Sequence, residues 1–468
     1  MFDEEYTVSG HCAVSWEVIR DLFRQNFIDH LDIGATLCIY YQEKCVVDLA
    51  GGWFDFENHT RPYTHDTLQM IYSTGKGVMA TALALCVQRG LLDYEERIAT
   101  YWPEFGQNGK KNVKVKDLLS HRAGLVVIDD DDGLLKVEDT LDDPTKITHL
   151  LAKQKPYWEP DVGGHGYHAL TFGYLVSELI RRVDFVKHRS MGQFIQEEIA
   201  QAIGDCEYFV GNCLPDQYQI RVSPCIPPRK TASVENQSEL SQLQTRIFTL
   251  NGLIPSSPIN GKDKHLSPIN GFTNARSLAR IYASLLFTES LITSKTLAKA
   301  ILNNTPENEP DQILSHMTTK FSQGGYMLDS TVVKDFGKCF GHWGIEKALP
   351  MLVLGVSCIL AVAIIFGILC GNMIRARRKI EKIQHENEEK KEQYPIYIIA
   401  SQSQNSIKLP ISTNNNKINN TNQSAAILSS TTKINEYRSS SSRMEIALDP
   451  TFKIHPYHLC SFKRIVEL

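Results

Sequence analysis

Residues 72–110 read YSTGKGVMATALALCVQRGLLDYEERIATYWPEFGQNGK, and the first five of them hold the chain's clearest chemical signal. Ser73-Thr74-Gly75-Lys76 is an S-x-x-K sequence at the start of a helix expected over about residues 73–89, with Gly90 as a natural C-cap. That spacing puts the Ser73 hydroxyl and the Lys76 amine one turn apart on the same face. A serine hydroxyl alone is a poor nucleophile. An amine held beside it in a partly desolvated cleft loses its own proton more readily and accepts the hydroxyl proton. The free backbone N–H groups and positive dipole end of a helix start favour the oxyanion that forms when an acyl carbonyl is attacked. Taken alone the motif is weak, since a second copy, Ser430-Thr431-Thr432-Lys433, stands in a polar tail.

Upstream, Ser15 is the expected N-cap of a helix whose Ile19, Leu22, Phe23 and Phe27 form an apolar face for packing on a sheet. Two β-rich runs follow, residues 34–41 and 45–50, joined by Gln42-Glu43-Lys44 as a hairpin, and Gly51-Gly52 is expected to break the second strand. Downstream, another helical pattern covers residues 169–183. Strands early and helices in the middle indicate an α+β architecture.

The chain has 468 residues, 42% hydrophobic and 9% aromatic, which suits packed globular structure and excludes a wholly disordered chain. A net charge of −4 gives no electrostatic footprint for nucleic acid, so no nucleic-acid partner is expected. The eleven cysteines are odd in number, scattered and without a C-x-x-C pair, so they read as reduced, individually buried thiols. The acidic start, MFDEEYTVSG, lacks the basic and apolar regions of a cleavable signal.

The segments around Ser73 resemble the serine beta-lactamase-like and esterase branch of the beta-lactamase superfamily over most of residues 9–345. The resemblance rests on VVDLAGGW (46–53), the 72–110 stretch, DLLSHRAGL (117–125), PYWEP (156–160), GYHALTFGYLVSELIRRV (166–183), NARSLARIYASL (274–285) and FGHWG (340–344). It implies a beta-lactamase/transpeptidase-like fold, an antiparallel sheet flanked by helices plus a helical subdomain. The implied activity is hydrolysis of a small-molecule ester or amide, or of a peptide, through an acyl-serine. Ser73 would be the nucleophile, Lys76 its base and Tyr167 the catalytic tyrosine, a proton relay provided that positive charge from Lys76 lowers its pKa. Gly341-His342-Trp343-Gly344 resembles the H-x-G strand opposite the nucleophile. There His342 would contact substrate, and the N–H groups of Ser73 and of Ile345, just after Gly344, would form the oxyanion hole. Without the resemblance, Tyr167 reads as a core tyrosine and His342 as an ordinary imidazole.

Other patterns carry less. Asp129 to Asp132 followed by Gly133 puts Ile128 at the first ligand position of a calcium loop, so a solvated loop is expected. Gly163-Gly164-His165-Gly166 has no accompanying G-x-S-x-G elbow and reads as a flexible approach to Tyr167. His121 is expected to order a helix end. There is no H-E-x-x-H and no phosphate-binding loop, so no metal and no cofactor are implied.

Residues 348–374, ALPMLVLGVSCILAVAIIFGILCGNMI, run without a charge and read as a transmembrane helix. The expected organisation is a hydrolase domain over 1–347, the span over 348–374, a charged juxtamembrane helix over 375–399 and a mostly disordered tail over 400–468. Arg375, Arg377, Arg378 and Lys379 favour a cytosolic tail, whereas no signal exports the domain, so sidedness stays open. The resemblance also implies two further strands and a C-terminal helix after Gly344, which the sequence lacks. The expected sheet is therefore incomplete, with unpaired edges, and three explanations stay open: a membrane-anchored inactive domain, completion of the sheet by a second chain through self-association, or a product joined out of its natural order. The rival reading is a catalytically inactive, membrane-tethered binding protein on the same domain.

Overall fold

The computed structural model describes residues 7–329, 339–342 and 397–400, except for 56–58, 60, 130–143, 161, 225–242, 245, 248–270 and 315–317. Strand β1 (Val8–Cys12), helix α1 (Glu17–Ile28) and the hairpin β2 (Gly34–Tyr41) and β3 (Lys44–Gly52) come first. β1 and β2 both pair antiparallel with β3. The expected apolar face of α1 covers this sheet, with Ile19, Phe23 and Phe27 packed against Leu37, Ile39, Val47 and Leu49 and Leu22 only partly buried.

Three local expectations change. A 3-10 turn, Val14–Trp16, precedes α1, so Trp16 rather than Ser15 stands at its N-cap, with no side-chain cap bond. The hairpin turn is tighter than three residues. Gln42 and Glu43 take φ values of 46° and 67°, and Lys44 already belongs to β3; positive φ at both central residues matches the twist of antiparallel strands. Gly51 and Gly52 do not break β3 but end it. A Cβ on Gly51 would stand 2.8 Å from Cε2 of Phe27, so the glycine lets α1 approach the sheet.

A three-stranded sheet of order β4-β6-β5 follows, formed by β4 (Gln69–Met70), β5 (Tyr208–Val210) and β6 (Gly271–Thr273). Helix α2 (Gly75–Gln88) leaves from the end of β4 through a 3-10 turn, Tyr72–Thr74, and so starts two residues later than expected. It is buried from Gly75 through Cys86, on every face, and its Gly, Ala and Thr residues suit the close approach of neighbours. Gly90, at φ 71°, follows its C-terminus as the sequence indicates. The short α3 (Val115–Leu119) and α2 both pack against α4 (Thr171–Val183).

Helix α5 (Ala275–Ala283) is capped by Asn274, whose side chain accepts from the Ser277 N–H at 2.8 Å, and it packs on β2. Ala275 and Ala279 meet Cys38, while Leu37 and Ile39 face the α1 side. Alternate residues thus go to opposite faces, which is why GATLCIYY is apolar almost throughout. Finally β7 (Met327–Asp329) and β8 (Cys339–Gly341) form an antiparallel pair. β9 (Tyr397–Ala400) lies antiparallel beside β2, with Ile399 opposite Cys38.

β9 bears on two expectations. The edge of β2, expected to lack a partner, carries β9 along Leu37, Cys38, Ile39 and Tyr40. Tyr397, Ile398 and Ile399 stand in this strand and not at the end of a charged helix, as β-branched and aromatic residues favour. The rest of that helix, the apolar run 348–374 and the tail over 401–468 lie outside the described residues. Among the described residues no helix is long and apolar enough to cross a membrane.

Candidate active site

The antiparallel bonding of β4 and β6 sets the start of α2. The Ile71 N–H donates to the Gly271 carbonyl at 2.9 Å, Tyr72 turns at φ 44°, and Ser73 follows on the 3-10 turn. Gly75 leaves room for the Tyr208 hydroxyl, which a Cβ would approach to 3.0 Å. One turn on, Lys76 is fully buried and its Nζ lies 2.9 Å from Ser73 Oγ and 2.7 Å from the carbonyl oxygen of Ala169, to which it donates. Burial lowers the Lys76 pKa to about 7. Near neutral pH a large share of the amine is therefore uncharged, with one N–H for Ala169 and its lone pair free for the Ser73 proton.

Tyr167 lies just ahead of α4, buried, with its ring stacked at 9° on Phe321 and 5.0 Å from the ring of His121. The Lys76 Nζ stands 5.1 Å from the Tyr167 ring centroid. The expectation that this amine would lower the tyrosine's pKa is not met. Burial raises it well above the ordinary value, and a hydrogen bond with Ser73 only partly offsets this. Because Lys76 is itself held near neutrality, it supplies little positive charge, and the phenol stays protonated as a donor.

His342 follows β8, with its ring 5.9 Å from that of Tyr167. A Cβ on Gly77 of α2 would come within 3.5 Å of the His342 Cβ, so β8 runs beside the start of the nucleophile helix. Ser73, Lys76, Tyr167 and His342 thus converge from three separate segments. Trp343, Gly344 and Ile345 lie outside the described residues, so the expected oxyanion donor at Ile345 is not placed.

Other residues hold this site together. His121 turns the chain after α3 at φ 62°, its N–H donating to Leu118 at 3.1 Å, which is the helix-end role expected for it. Its Nδ1 also accepts the His168 N–H at 3.0 Å. His168 donates from Nδ1 to the Gly166 carbonyl at 2.7 Å and accepts at Nε2 from the Leu125 N–H at 3.0 Å, which fixes a neutral tautomer. Burial pushes its pKa down to about 4. The glycine stretch before Tyr167 is a packed approach, where a Cβ on Gly166 would stand 2.7 Å from the Trp158 ring. Asp129 binds the Tyr157 hydroxyl at 2.9 Å and Arg246 at 3.1 Å. Among the described residues no group of three or more His, Cys, Asp or Glu side chains could hold a metal ion.

A family model described as Beta-lactamase matches residues 23–345. The chain belongs to the beta-lactamase family. Within it, the chain is similar to the esterase/beta-lactamase LipL of Mycobacterium tuberculosis (strain ATCC 25618 / H37Rv), at 31% identity over 264 residues. That match covers 54% of this chain and 58% of LipL, so the chain spans less than two thirds of this relative's length. A solved family VIII carboxylesterase matches at 30% identity and a TM-score of 0.61, covering 72% of this chain and 88% of the other. A penicillin-binding protein homologue from Caulobacter crescentus gives 28% identity and a TM-score of 0.61 over the same shares. EstA from Arthrobacter nitroguajacolicus Rue61a gives 26% and 0.58, over 72% and 87%. The beta-lactamase/transpeptidase-like fold, and membership among the beta-lactamase-related serine hydrolases, agree with the S-x-x-K turn and its surroundings.

Proposed function

We propose that the chain is a serine hydrolase that cleaves a small-molecule ester or amide through an acyl-Ser73 intermediate. The observation that carries this reading is the 2.9 Å contact between Ser73 Oγ and a fully buried Lys76 amine whose pKa is lowered to about 7. Similarity to a carboxylesterase and to an esterase/beta-lactamase supports the ester class. In the acylation half, Lys76 takes the hydroxyl proton as Oγ attacks the carbonyl carbon. The protonated Tyr167, bonded to Ser73, passes a proton to the departing alcohol or amine and is reprotonated from Lys76. In the second half the same pair takes a proton from water, which attacks the acyl carbon and returns Ser73 as its hydroxyl. The N–H groups of Ser73 and Ile345 are the proposed oxyanion donors, and His342 the proposed substrate contact.

The test is labelling of the full-length protein, purified in detergent, with a fluorescent fluorophosphonate, beside hydrolysis of p-nitrophenyl esters and of a chromogenic β-lactam. Labelling and turnover that vanish in Ser73→Ala support the proposal, and the relative rates on ester and β-lactam give the substrate class. A folded sample with neither would leave a catalytically silent binding domain.

A further inference from the structure

Tyr167 is tied to a polar network far along the sequence. Its backbone N–H donates to Oδ1 of Asp311 at 3.2 Å, and the same oxygen accepts the N–H groups of Ile313 at 2.9 Å and Leu314 at 2.8 Å. Oδ2 accepts the Thr319 hydroxyl at 2.8 Å. Since that proton goes to Asp311, the Thr319 oxygen, 2.8 Å from His165 Nε2, is left to accept from the ring. Nδ1 of His165 meets Oε1 of Glu309 at 2.7 Å, and Arg122 grips the same carboxylate at 2.6 and 3.4 Å. Both nitrogens of His165 therefore face acceptors.

Asp311, His165 and Thr319 are all buried. Burying a carboxylate is costly unless its lone pairs are filled, and here four donors fill them, the N–H groups of Tyr167, Ile313 and Leu314 and the Thr319 hydroxyl. What the arrangement secures is a single placement of residues 165–167. His165 bridges Asp311 in parallel register, and its carbonyl accepts the Gln312 N–H at 3.0 Å. The same downstream segment supplies Phe321, on which the Tyr167 ring stacks. One stretch thus fixes both the main chain and the ring plane of Tyr167, and with them the reach of its hydroxyl to Ser73.

We propose that Asp311 is a positioning residue for Tyr167, held in place by the Thr319–His165–Glu309–Arg122 chain. This rests on the reading of Tyr167 as part of the hydrolytic machinery, so the experiment separates the two.

Full-length wild type, Asp311→Asn, Tyr167→Phe and the double variant are compared for kcat and KM on p-nitrophenyl butyrate, with thermal unfolding as a control on folding. Asp311→Asn should lower kcat roughly 10- to 100-fold with KM nearly unchanged, as a misplacement of about 1 Å would. In the Tyr167→Phe background it should cost almost nothing more. An equal further loss there, or a wild-type kcat in Asp311→Asn, overturns the proposal while leaving Tyr167 its role. Full activity in Tyr167→Phe overturns both. Should Asp311→Asn fail to fold, Thr319→Val removes one bond to Asp311 and leaves that to Tyr167. A smaller fall in kcat, again absent in the Tyr167→Phe background, is then expected, and no fall overturns the proposal.

Discussion

A Cβ placed on Gly77 would overlap the hydroxyl oxygen of Tyr282 and stand 3.3 Å from its Cζ, so α2 and α5 meet through a glycine on one side and a phenol on the other. The Tyr282 hydroxyl is buried and has no hydrogen-bond partner among the described residues. Gly77→Ala should therefore lower stability by about 1–3 kcal/mol through overpacking. Tyr282→Phe alone should stay within about 1 kcal/mol of wild type, because it removes a hydroxyl that gains nothing from burial. The double variant should recover part of the Gly77→Ala loss. Denaturant unfolding reads all three, and an undiminished loss in the double variant would refute the contact.

Activity should follow the protonation of Lys76. With its pKa lowered to about 7 by burial, kcat/KM on an ester should rise through an inflection near pH 7 and level off above it. Lys76→Arg keeps a cation that cannot act as base at neutral pH, and should cost on the order of 10³-fold or more in kcat. The linked effect on stability has a definite sign. The unfolded lysine keeps its proton up to about 10.5, so between pH 7 and 10.5 the unfolded state binds more protons and stability rises with pH. A flat rate profile from acid to alkaline pH would remove Lys76 from the role of base.

Acid should destabilise the fold through His168. Its two bonds, to Gly166 and from Leu125, need the neutral ring, and burial holds its pKa near 4 against an ordinary 6.5. As pH falls from about 6.5 to 4 the unfolded ring takes up a proton that the folded ring refuses, and stability declines across that window. Urea midpoints measured over this range should fall less steeply in His168→Gln than in wild type. Identical slopes would assign the acid sensitivity to other groups.

Of Cys38, Cys45, Cys86 and Cys206, Cys45 should react first. Its Sγ lies 3.7 Å from that of Cys38, whose hydrogen bond favours the Cys45 thiolate and raises the Cys38 thiol in turn. Burial pushes Cys86 and Cys206 up to about 12. Iodoacetamide at neutral pH should modify Cys45 ahead of those two, and a thiol oxidant such as diamide should link it to Cys38 with the loss of two hydrogens. Peptide mapping that found Cys86 or Cys206 alkylated first would contradict this.

How much of the site could be read in advance depended on sequence separation. Ser73 and Lys76 are neighbours on one turn, so their contact is written in local spacing. The α1 face and the β2–β3 hairpin were legible for the same reason. Asp311 meets Tyr167 across 144 positions, from a segment whose composition suggests only a loop, and no periodicity announces it. His121 and His168, 47 positions apart, look like two unrelated imidazoles until the chain brings them together. The β4-β6-β5 sheet stayed hidden because strands of two or three residues are too short to show alternation. The relay chemistry was misjudged for a different reason. A neighbouring lysine was expected to depress the tyrosine, but burial raises the phenol and lowers the amine alike, which leaves little positive charge beside the ring.

β8 and β9, at residues 339–341 and 397–400, belong to one body of the chain. The pairing of Ile399 with Cys38 joins positions 361 apart (399 − 38), a long-range contact of the kind that forms slowly in folding. During synthesis the β2 edge that takes β9 therefore stays open until residues 397–400 have been made, and the sheet closes last where the chain must reach furthest.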